Sequence, residues 1–262
     1  MTEGNVSPLR IFGALLLRDI TVARRELPYF LVRTTLQPLL FVIIFGFVMP
    51  KMGIVPRGYT AMMLPGILAL SLTLSAVQSV SLPMVQEFGW TKEIEDRLLA
   101  PVPIEWVAAE KIVAGMLQGI VASLFVLPIA RVIMGPIPGL TFQHVGLLLV
   151  MTLLGGLAFS AIGLFLGTAI APQQIGLMFS VVLAPMIMFG CTYYPWRGLD
   201  AVPAMKWGVL VNPLVYVSEG LRASLTPSLP HMNVWGIVAA LLSIVVLFTF
   251  LGLRTFEKRA MS

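Results

Sequence analysis

A run without a single Asp, Glu, Lys or Arg extends over residues 132–196 and constrains the fold of this chain more than any other feature. The run is too long for one core helix of a globular protein. A membrane-spanning helix needs roughly 20 apolar residues, because at about 1.5 Å rise per residue that length covers about 30 Å of hydrocarbon. The run therefore accommodates two crossings, and the break between them falls at Ala171-Pro172-Gln173-Gln174. These features predict a polytopic membrane protein.

Composition supports the same class. Charged residues make up only 11% of the chain and the mean hydropathy is +0.95, values that are unusual for a soluble domain. The net charge of +5 does not indicate a nucleic-acid partner, because the basic residues lie at the ends of apolar segments and form no basic face. The sequence contains no Ser-His-Asp order, no paired carboxylates and no HExxH motif. No catalytic residue, cofactor site or metal site is therefore predicted.

Six spans are predicted, at residues 30–49, 61–85, 106–134, 145–170, 175–194 and 233–253. Lipid offers no partner for backbone amides, so spans of this length must be helices and the fold class is all-α. With the N-terminus inside, eleven of the 17 Lys and Arg residues lie on the cytoplasmic side. This distribution follows the positive-inside rule and predicts that both termini are cytoplasmic.

The chain divides into two predicted parts, residues 1–28 and the six-span domain at residues 29–262. Within the first part, residues 8–27 mix apolar and basic side chains and predict an amphipathic helix in the inner interface, facing anionic lipid headgroups. The alternative is a partly ordered cytoplasmic tail. The outer segment at residues 191–232 is weakly charged for a loop in water. We expect it to form short re-entrant helices that dip into the outer leaflet and return.

The inner loop at residues 86–105 is the densest charge cluster of the chain. At helical spacing Ile94 and Leu98 share one face, and the prolines that follow end the helix before the third span. A short cytoplasmic coupling helix of this kind transmits force from a docked soluble partner. The alternative is a solvated loop whose charges keep it out of lipid. The predicted coupling residues are Glu87, Trp90, Glu93, Ile94, Glu95, Asp96 and Arg97.

Two motifs resemble signatures of ABC-2-type transporter permeases, particularly the branch of drug-resistance and lipo-oligosaccharide exporters. The first is E-F-G-x-x-x-E-I-x-D-R-L-L-A-P-V-P at residues 87–103, followed by Glu110-Lys111 where Gly-Lys is commoner in the family. The second is F-x-x-x-x-Y-P at residues 189–195, with N-P-L-x-Y and E-G-L-R after it. Both keep the family's order around six spans. The residues that carry the outer motif are Pro195, Asn212, Pro213, Tyr216, Glu219 and Arg222.

The resemblance implies the permease subunit of an ATP-driven ABC exporter in a bacterial or archaeal cell (inner) membrane. It implies a dimer of permeases, homomeric or heteromeric, and a separate ATPase subunit that docks on the loop at residues 87–97. The sequence has no G-x-x-x-x-G-K-[ST] motif, so ATP and Mg are expected in the partner and not in this chain, which is predicted not to be an enzyme. The implied cargo is a hydrophobic drug, a lipid or a lipid-linked glycan.

The pathway between protomers is expected to be lined by the first, second and fifth spans. Arg33 and Gln37 share one face near the inner end of the first span and are candidate pathway residues, although Arg33 could instead snorkel to the headgroups. Tyr193 and Tyr194 are further candidates, with anchoring in an interfacial aromatic belt as the alternative. Glu219 and Arg222 are spaced i, i+3 and are expected to form a structural ion pair on an outer helix, with a ligand site as the alternative.

Two other functions compete with the exporter. A secondary transporter driven by an ion gradient usually carries charged residues near the membrane midplane, and no predicted span has one at its middle. A membrane-embedded enzyme acting on lipids needs clustered His, Asp or Glu at one interface, and the acidic residues here concentrate in one short loop. Both are less consistent with the sequence than an exporter.

Overall fold

The computed structural model describes residues 8–25, 27–56, 58–88 and 103–260. Within these residues the regular structure is helical, as predicted, and contains no strand. Two helices contain a π-helical stretch in their interior, at Val42–Val48 and at Met178–Leu183, and the two described residues after Gln86 are π-helical as well. The helices are α1 (Pro8–Arg25), α2 (Leu27–Lys51), α3 (Tyr59–Gln86), α4 (Ile104–Met134), α5 (Val145–Ala169), α6 (Pro172–Met188), α7 (Pro203–Gly208), α8 (Pro213–Leu225) and α9 (Val234–Ala260).

Among the described residues, five helices are long and apolar enough to cross a membrane: α2, α3, α4, α5 and α9. They confirm five of the predicted spans to within a few residues at most boundaries. The fifth predicted span, at residues 175–194, corresponds to α6, which is a shorter apolar helix. At about 1.5 Å per residue, α6 is about 25 Å long, less than the about 30 Å of a hydrocarbon core.

The predicted C-terminal boundary of that span is wrong, because the helix ends at Met188 and not at residue 194. Phe189 already departs from helical backbone angles, and Cys191 has a left-handed conformation with φ of 52°. A non-glycine residue with positive φ does not continue a right-handed helix. The chain then enters the 3₁₀ turn Trp196–Ala201.

Helix α3 is the centre of the bundle. In the apolar 18-residue stretch of α3, 89% is buried inside the protein, whereas in the corresponding stretch of α9 only 17% is buried. Glycines of the neighbouring helices allow this close packing. A Cβ atom added to Gly163 or Gly167 of α5 would lie 2.8–2.9 Å from α3 backbone atoms, and one added to Gly119 of α4 would lie 2.8 Å from the Leu72 carbonyl. These glycines of α4 and α5 therefore pack against α3 inside the chain.

One end of the bundle, called here the Lys111 end, collects the C-terminal ends of α3, α5 and α9 and the first turns of α4. Phe88, two residues after the end of α3, meets Phe256 of α9 edge to face with ring centroids 5.5 Å apart. The Arg259 guanidinium donates to the carbonyl of Ile170 at 3.0 Å and so caps the end of α5. Helix α6 begins at this end, three residues after the end of α5.

The opposite end, called the Arg222 end, contains the start of α3, helix α8 and the segment between α6 and α8. Thr192 lies so close to Gly66 of α3 that its backbone occupies the place where a Cβ atom of residue 66 would be. Between Ile170 and Thr192 the chain therefore passes from one end of the bundle to the other. Helix α8 is buried along most of its length and packs against α3, α5 and α9.

Candidate functional site

A buried lysine at the Lys111 end lies between two carboxylates. Lys111 Nζ is 2.9 Å from Asp19 Oδ2 of α1 and 3.5 Å from Glu87 Oε1 at the end of α3. Lys111 is 6% exposed and Glu87 is 7% exposed, so solvent screens these pairs little. Buried charges of this kind need partners. Lys111 therefore joins α1, α3 and α4 at one point.

Glu87 is the first of the predicted coupling residues and the only one of them that the structure describes. It continues α3 in a helical conformation together with Phe88. Pro103 resumes the described chain as the residue before α4. The segment thus leaves from and returns to the Lys111 end. The other predicted coupling residues lie outside the described residues: Trp90, Glu93, Ile94, Glu95, Asp96 and Arg97.

At the Arg222 end, Arg222 and Glu219 of α8 form an ion pair whose two side chains are completely buried. The Arg222 guanidinium also donates to the carbonyl of Met62 in α3 at 3.3 Å and to that of Cys191 at 3.0 Å. These carbonyls belong to segments that are distant in sequence. The guanidinium therefore holds α8 against the start of α3 and against the chain after α6.

Glu219 uses both carboxylate oxygens. Oε1 accepts from the Trp196 backbone N–H at 2.9 Å as well as from Arg222, and Oε2 accepts from the Met232 backbone N–H at 2.9 Å. Hydrogen bonds to a charged group in a buried setting are the strong ones. We call Glu219 and Arg222 with these four backbone partners the outer clasp. The outer clasp has a structural role, because its two charges are paired and hydrogen-bonded within the chain.

Two further outer-motif residues shape the start of α8. Asn212 is the N-cap: its Oδ1 accepts from the Leu214 N–H at 3.0 Å, and its Nδ2 donates to the Met186 carbonyl at 2.7 Å. Pro213 occupies the first helical position, where its missing N–H costs nothing. Together they start α8 and attach it to the last turn of α6.

The remaining outer-motif residues have similar roles. The Tyr216 hydroxyl donates to the Leu210 carbonyl at 2.7 Å, which ties α8 to the 3₁₀ turn before it. Pro195 is buried and precedes the 3₁₀ turn Trp196–Ala201. The structure thus brings the outer motif together as packing and capping contacts around the outer clasp.

The candidate pathway residues do not share one surface. Gln37 of α2 lines a cavity of about 370 Å³ between α2, α3 and α6. Tyr193 instead packs against Phe41 of α2, with ring centroids 5.1 Å apart, and Tyr194 packs in the apolar cluster around Cys191. Neither tyrosine lines the cavity of Gln37. The side chain of Arg33 lies outside the described part of the chain.

The cavity contains one residue that sequence reasoning missed. Gln78 of α3 lines it opposite Gln37 and the apolar residues of α6. The signal was present, because Gln78 is the only Asn, Gln, His or charged residue within the predicted span at residues 61–85. An isolated amide in an apolar span is a functional hypothesis by default.

Comparison with known proteins agrees with this architecture. The family model of the ABC-2 type transporter matches residues 10–226. Inner membrane transport permease YadH from Escherichia coli strain K12 is 29% identical over 168 residues, which is 63% of this chain and 62% of that relative. The same permease from Shigella flexneri has the same identity and coverage. The aligned region thus spans less than two thirds of these relatives.

No solved structure matches the chain. The family match nevertheless covers well over half of it, including four of the five helices that are long enough to cross a membrane (α2–α5), the shorter helix α6, the predicted coupling segment and the outer motif. With five helices among the described residues that are able to span a membrane, the protein is a multi-pass membrane protein. The chain therefore belongs to the ABC-2 type transporter family, as one of its permeases.

Proposed function

We propose that this chain is the transmembrane subunit of an ATP-driven exporter that moves a hydrophobic drug, lipid or lipid-linked glycan out of the cell. Membership of a permease family supports the transport role. ATP and Mg would bind to a separate subunit, since the sequence carries no glycine-lysine phosphate loop. The membrane would be the cell membrane of a bacterium or archaeon, as the inner-membrane relative indicates.

The observation that carries the proposal is the distribution of charge along the bundle. Among the described residues, α3 and α5 contain no Asp, Glu, Lys or Arg at all, and the charges of α4 lie near its ends. Buried charge is concentrated instead at the Lys111 end, beside the predicted coupling segment, and in the outer clasp. Carriers driven by ion gradients need ionisable groups near the midplane. This arrangement favours a drive applied from one end by a docked ATPase.

The proposed topology has six crossings with both termini in the cytoplasm and the Lys111 end on that side. The passage of the chain between the two ends across α6 supports the sixth crossing. The shortness of α6 is compatible with a local thinning of the bilayer, which costs only a fraction of a kcal/mol per Å of mismatch. Helices α7 and α8 would form the outer re-entrant segment, a role that the burial of α8 supports.

The coupling route runs through the Lys111 end. Helix α1 exposes Arg18, Arg24 and Arg25, which suits an interfacial helix over anionic headgroups. Closure of the ATPase subunits would push on the segment that starts at Glu87, and Lys111 would pass the displacement to α1. In a dimer of permeases, the two protomers would then rock between two states whose balance ATP binding changes.

Purification from the native membrane in mild detergent tests this proposal. We expect a stoichiometric subunit with a phosphate-binding loop and vanadate-sensitive ATP hydrolysis. Glu93→Lys and Arg97→Glu should reduce the amount of this subunit that co-purifies, while insertion stays normal. The matched control is Asp200→Lys, which reverses an exposed carboxylate at the Arg222 end. A chain that purifies without any ATPase under several extraction conditions would contradict the proposal and favour a gradient-driven carrier.

A further inference from the structure

Helix α9 has a shallow hollow on the face that it turns away from the bundle. Its volume is about 530 Å³, and five side chains line it, four of them apolar and between 47% and 70% exposed. We call it the α9 hollow, and its residues are Leu242, Ser243, Val246, Leu247 and Phe250. Its length along the helix is about 12 Å at about 1.5 Å per residue. This length is comparable with the about 15 Å of hydrocarbon in one leaflet of a bilayer.

Two exposed cations follow the α9 hollow at the Lys111 end. Arg254 lies one turn after Phe250, and Lys258 lies one turn after Arg254. The Arg254 guanidinium stacks over the Phe250 ring, 4.3 Å from its centroid. It therefore points back along α9 toward the hollow, the direction that helical geometry favours. The stacking fixes a positive charge at the border of the apolar surface.

These two charges are not neutralised by the part of the chain that the structure describes. There, no carboxylate lies within ion-pair distance of Arg254 or Lys258. A third cation at this end of α9, Arg259, donates to the carbonyls of Thr168 and Ile170 in and after α5. The end of α9 thus combines an apolar hollow with two cations that are available to an anion.

The opposite face of the same turns is fixed to the bundle. Thr255 Oγ1 lies 2.6 Å from Thr168 Oγ1 of α5, and Phe256 is completely buried. The backbone under Arg254 and Lys258 is therefore held in place before a ligand arrives. A preorganised surface loses little conformational entropy on binding.

We propose that α9 binds an anionic phospholipid, with its phosphate at Arg254 and Lys258 and an acyl chain along the α9 hollow. A guanidinium donates to two phosphate oxygens at once. Phosphatidylcholine carries its own ammonium group and so leaves the excess positive charge in place. A second copy of the chain is a poorer occupant, because a two-fold axis along the membrane normal would bring each cation against its own copy. In the proposed topology the lipid belongs to the cytoplasmic leaflet; binding itself does not depend on ATP-driven export.

Photolabelling of the full chain in phosphatidylcholine nanodiscs tests this inference. The nanodiscs contain a trace of photoreactive phosphatidylglycerol or photoreactive phosphatidylcholine, both with the same diazirine-bearing acyl chain. After illumination, peptide mass spectrometry measures the labelling of residues 242–250. Labelling is normalised to that of Leu124 and Phe125, two exposed apolar residues of α4.

We expect phosphatidylglycerol to label the α9 hollow more strongly than phosphatidylcholine does. Arg254→Gln and Lys258→Gln should each lower this preference about fivefold, the factor equivalent to the ~1 kcal/mol that one cation contributes near anionic lipid. The matched control is Arg24→Gln, which removes an exposed cation of α1 and should leave the preference unchanged.

Three results would overturn the inference. Equal labelling by the two lipids would exclude a preference for anionic lipid. An equal loss of preference in Arg24→Gln would show that the diffuse charge of the surface attracts the lipid and that α9 has no site of its own. Labelling of Leu124 and Phe125 by both lipids without any labelling of the α9 hollow would show that protein, such as a second copy of the chain, covers this face.

Discussion

Replacing Arg222 by methionine should cost more stability than removing any exposed cation of this chain. Methionine replaces the unbranched alkyl part of the arginine side chain. It removes the ion pair with Glu219 and the hydrogen bonds to the Met62 and Cys191 carbonyls. Glu219 would then remain buried with its charge unpaired. Removing one partner of a buried pair costs about 3–5 kcal/mol, mostly because of the charge that is left behind. We expect a loss of stability in this range.

The partner substitution and the double variant separate charge from packing. Glu219→Gln leaves Arg222 charged but removes its carboxylate partner. The single amide oxygen of the glutamine can accept from only one of the Trp196 and Met232 backbone N–H groups. Its NH₂ group would face the other N–H, donor against donor. In Glu219→Gln/Arg222→Met neither charge is buried. The double variant should therefore lose clearly less stability than the sum of the two single variants.

The assay is the fraction of protein that elutes as a single species from size exclusion after heating in detergent. For a chain of this size a change of 1 kcal/mol shifts the midpoint by about 2–4 °C, so Arg222→Met should lower it by about 6–20 °C. Arg131→Met, at the exposed end of α4, is the control and should change the midpoint little. A drop of less than about 2 °C for Arg222→Met, or additive single variants, would refute the outer clasp as a stabilising unit.

Three shorter predictions use the same protein. Cys191 should resist maleimide until the chain is unfolded in SDS. The residue is buried, and burial raises the pKa of its thiol to about 12, which suppresses the reactive thiolate at neutral pH. Rapid labelling of the folded protein would contradict this prediction. Gly66→Ala should lower the midpoint of the heating assay, because the new Cβ atom would collide with the Thr192 backbone. In the control Gly236→Ala the Cβ atom meets open space, so the midpoint should not change. Equal midpoints for the two variants would exclude the close approach of Thr192 to α3. Lys111→Met should release α1 from the bundle and speed tryptic cleavage within α1, because the contact of Lys111 with Asp19 is lost. Lys111→Arg keeps the charge and should be cleaved at a rate close to that of the wild type. Unchanged cleavage of Lys111→Met would show that Lys111 does not hold α1 in place.

The sequence predicted the spanning helices well because a hydrocarbon core imposes length and apolarity on each one separately. Five of them could be located from long apolar runs in which charges are absent or lie near the ends. The end of α6 could not, because residues 189–194 carry no charge and no proline that would mark it. What ends α6 is tertiary: the left-handed backbone at Cys191 and the packing of Gly190 against Leu214. Neither leaves a trace in a hydropathy pattern.

For the outer clasp and for Lys111, too, the sequence predicts contacts within one helix but not contacts between segments that are distant in the chain. The i, i+3 spacing of Glu219 and Arg222 predicts their pairing, since both partners lie on one helix. Their backbone partners could not be predicted, because any carbonyl or N–H group serves equally and leaves no residue signature. Lys111 is separated by 92 residues from Asp19 and by 24 from Glu87. The sequence could identify Lys111 only as part of a motif, without the contacts that it makes.

The positions of the irregular helix segments bear on how the cavity between α2, α3 and α6 can change shape. Both helices that face α3 across the cavity contain a π-helical stretch and an internal proline, Pro38 in α2 and Pro185 in α6. Such features weaken the regular i→i−4 hydrogen-bond ladder, so a helix bends there at lower cost. The prolines of α3 lie near its ends, at Pro65 and Pro83, and its middle is buried. The outer clasp further fixes the start of α3 to α8. A change in cavity shape therefore costs least when α2 and α6 bend against a stationary α3, which places the movable walls opposite Gln78 and leaves the outer clasp intact.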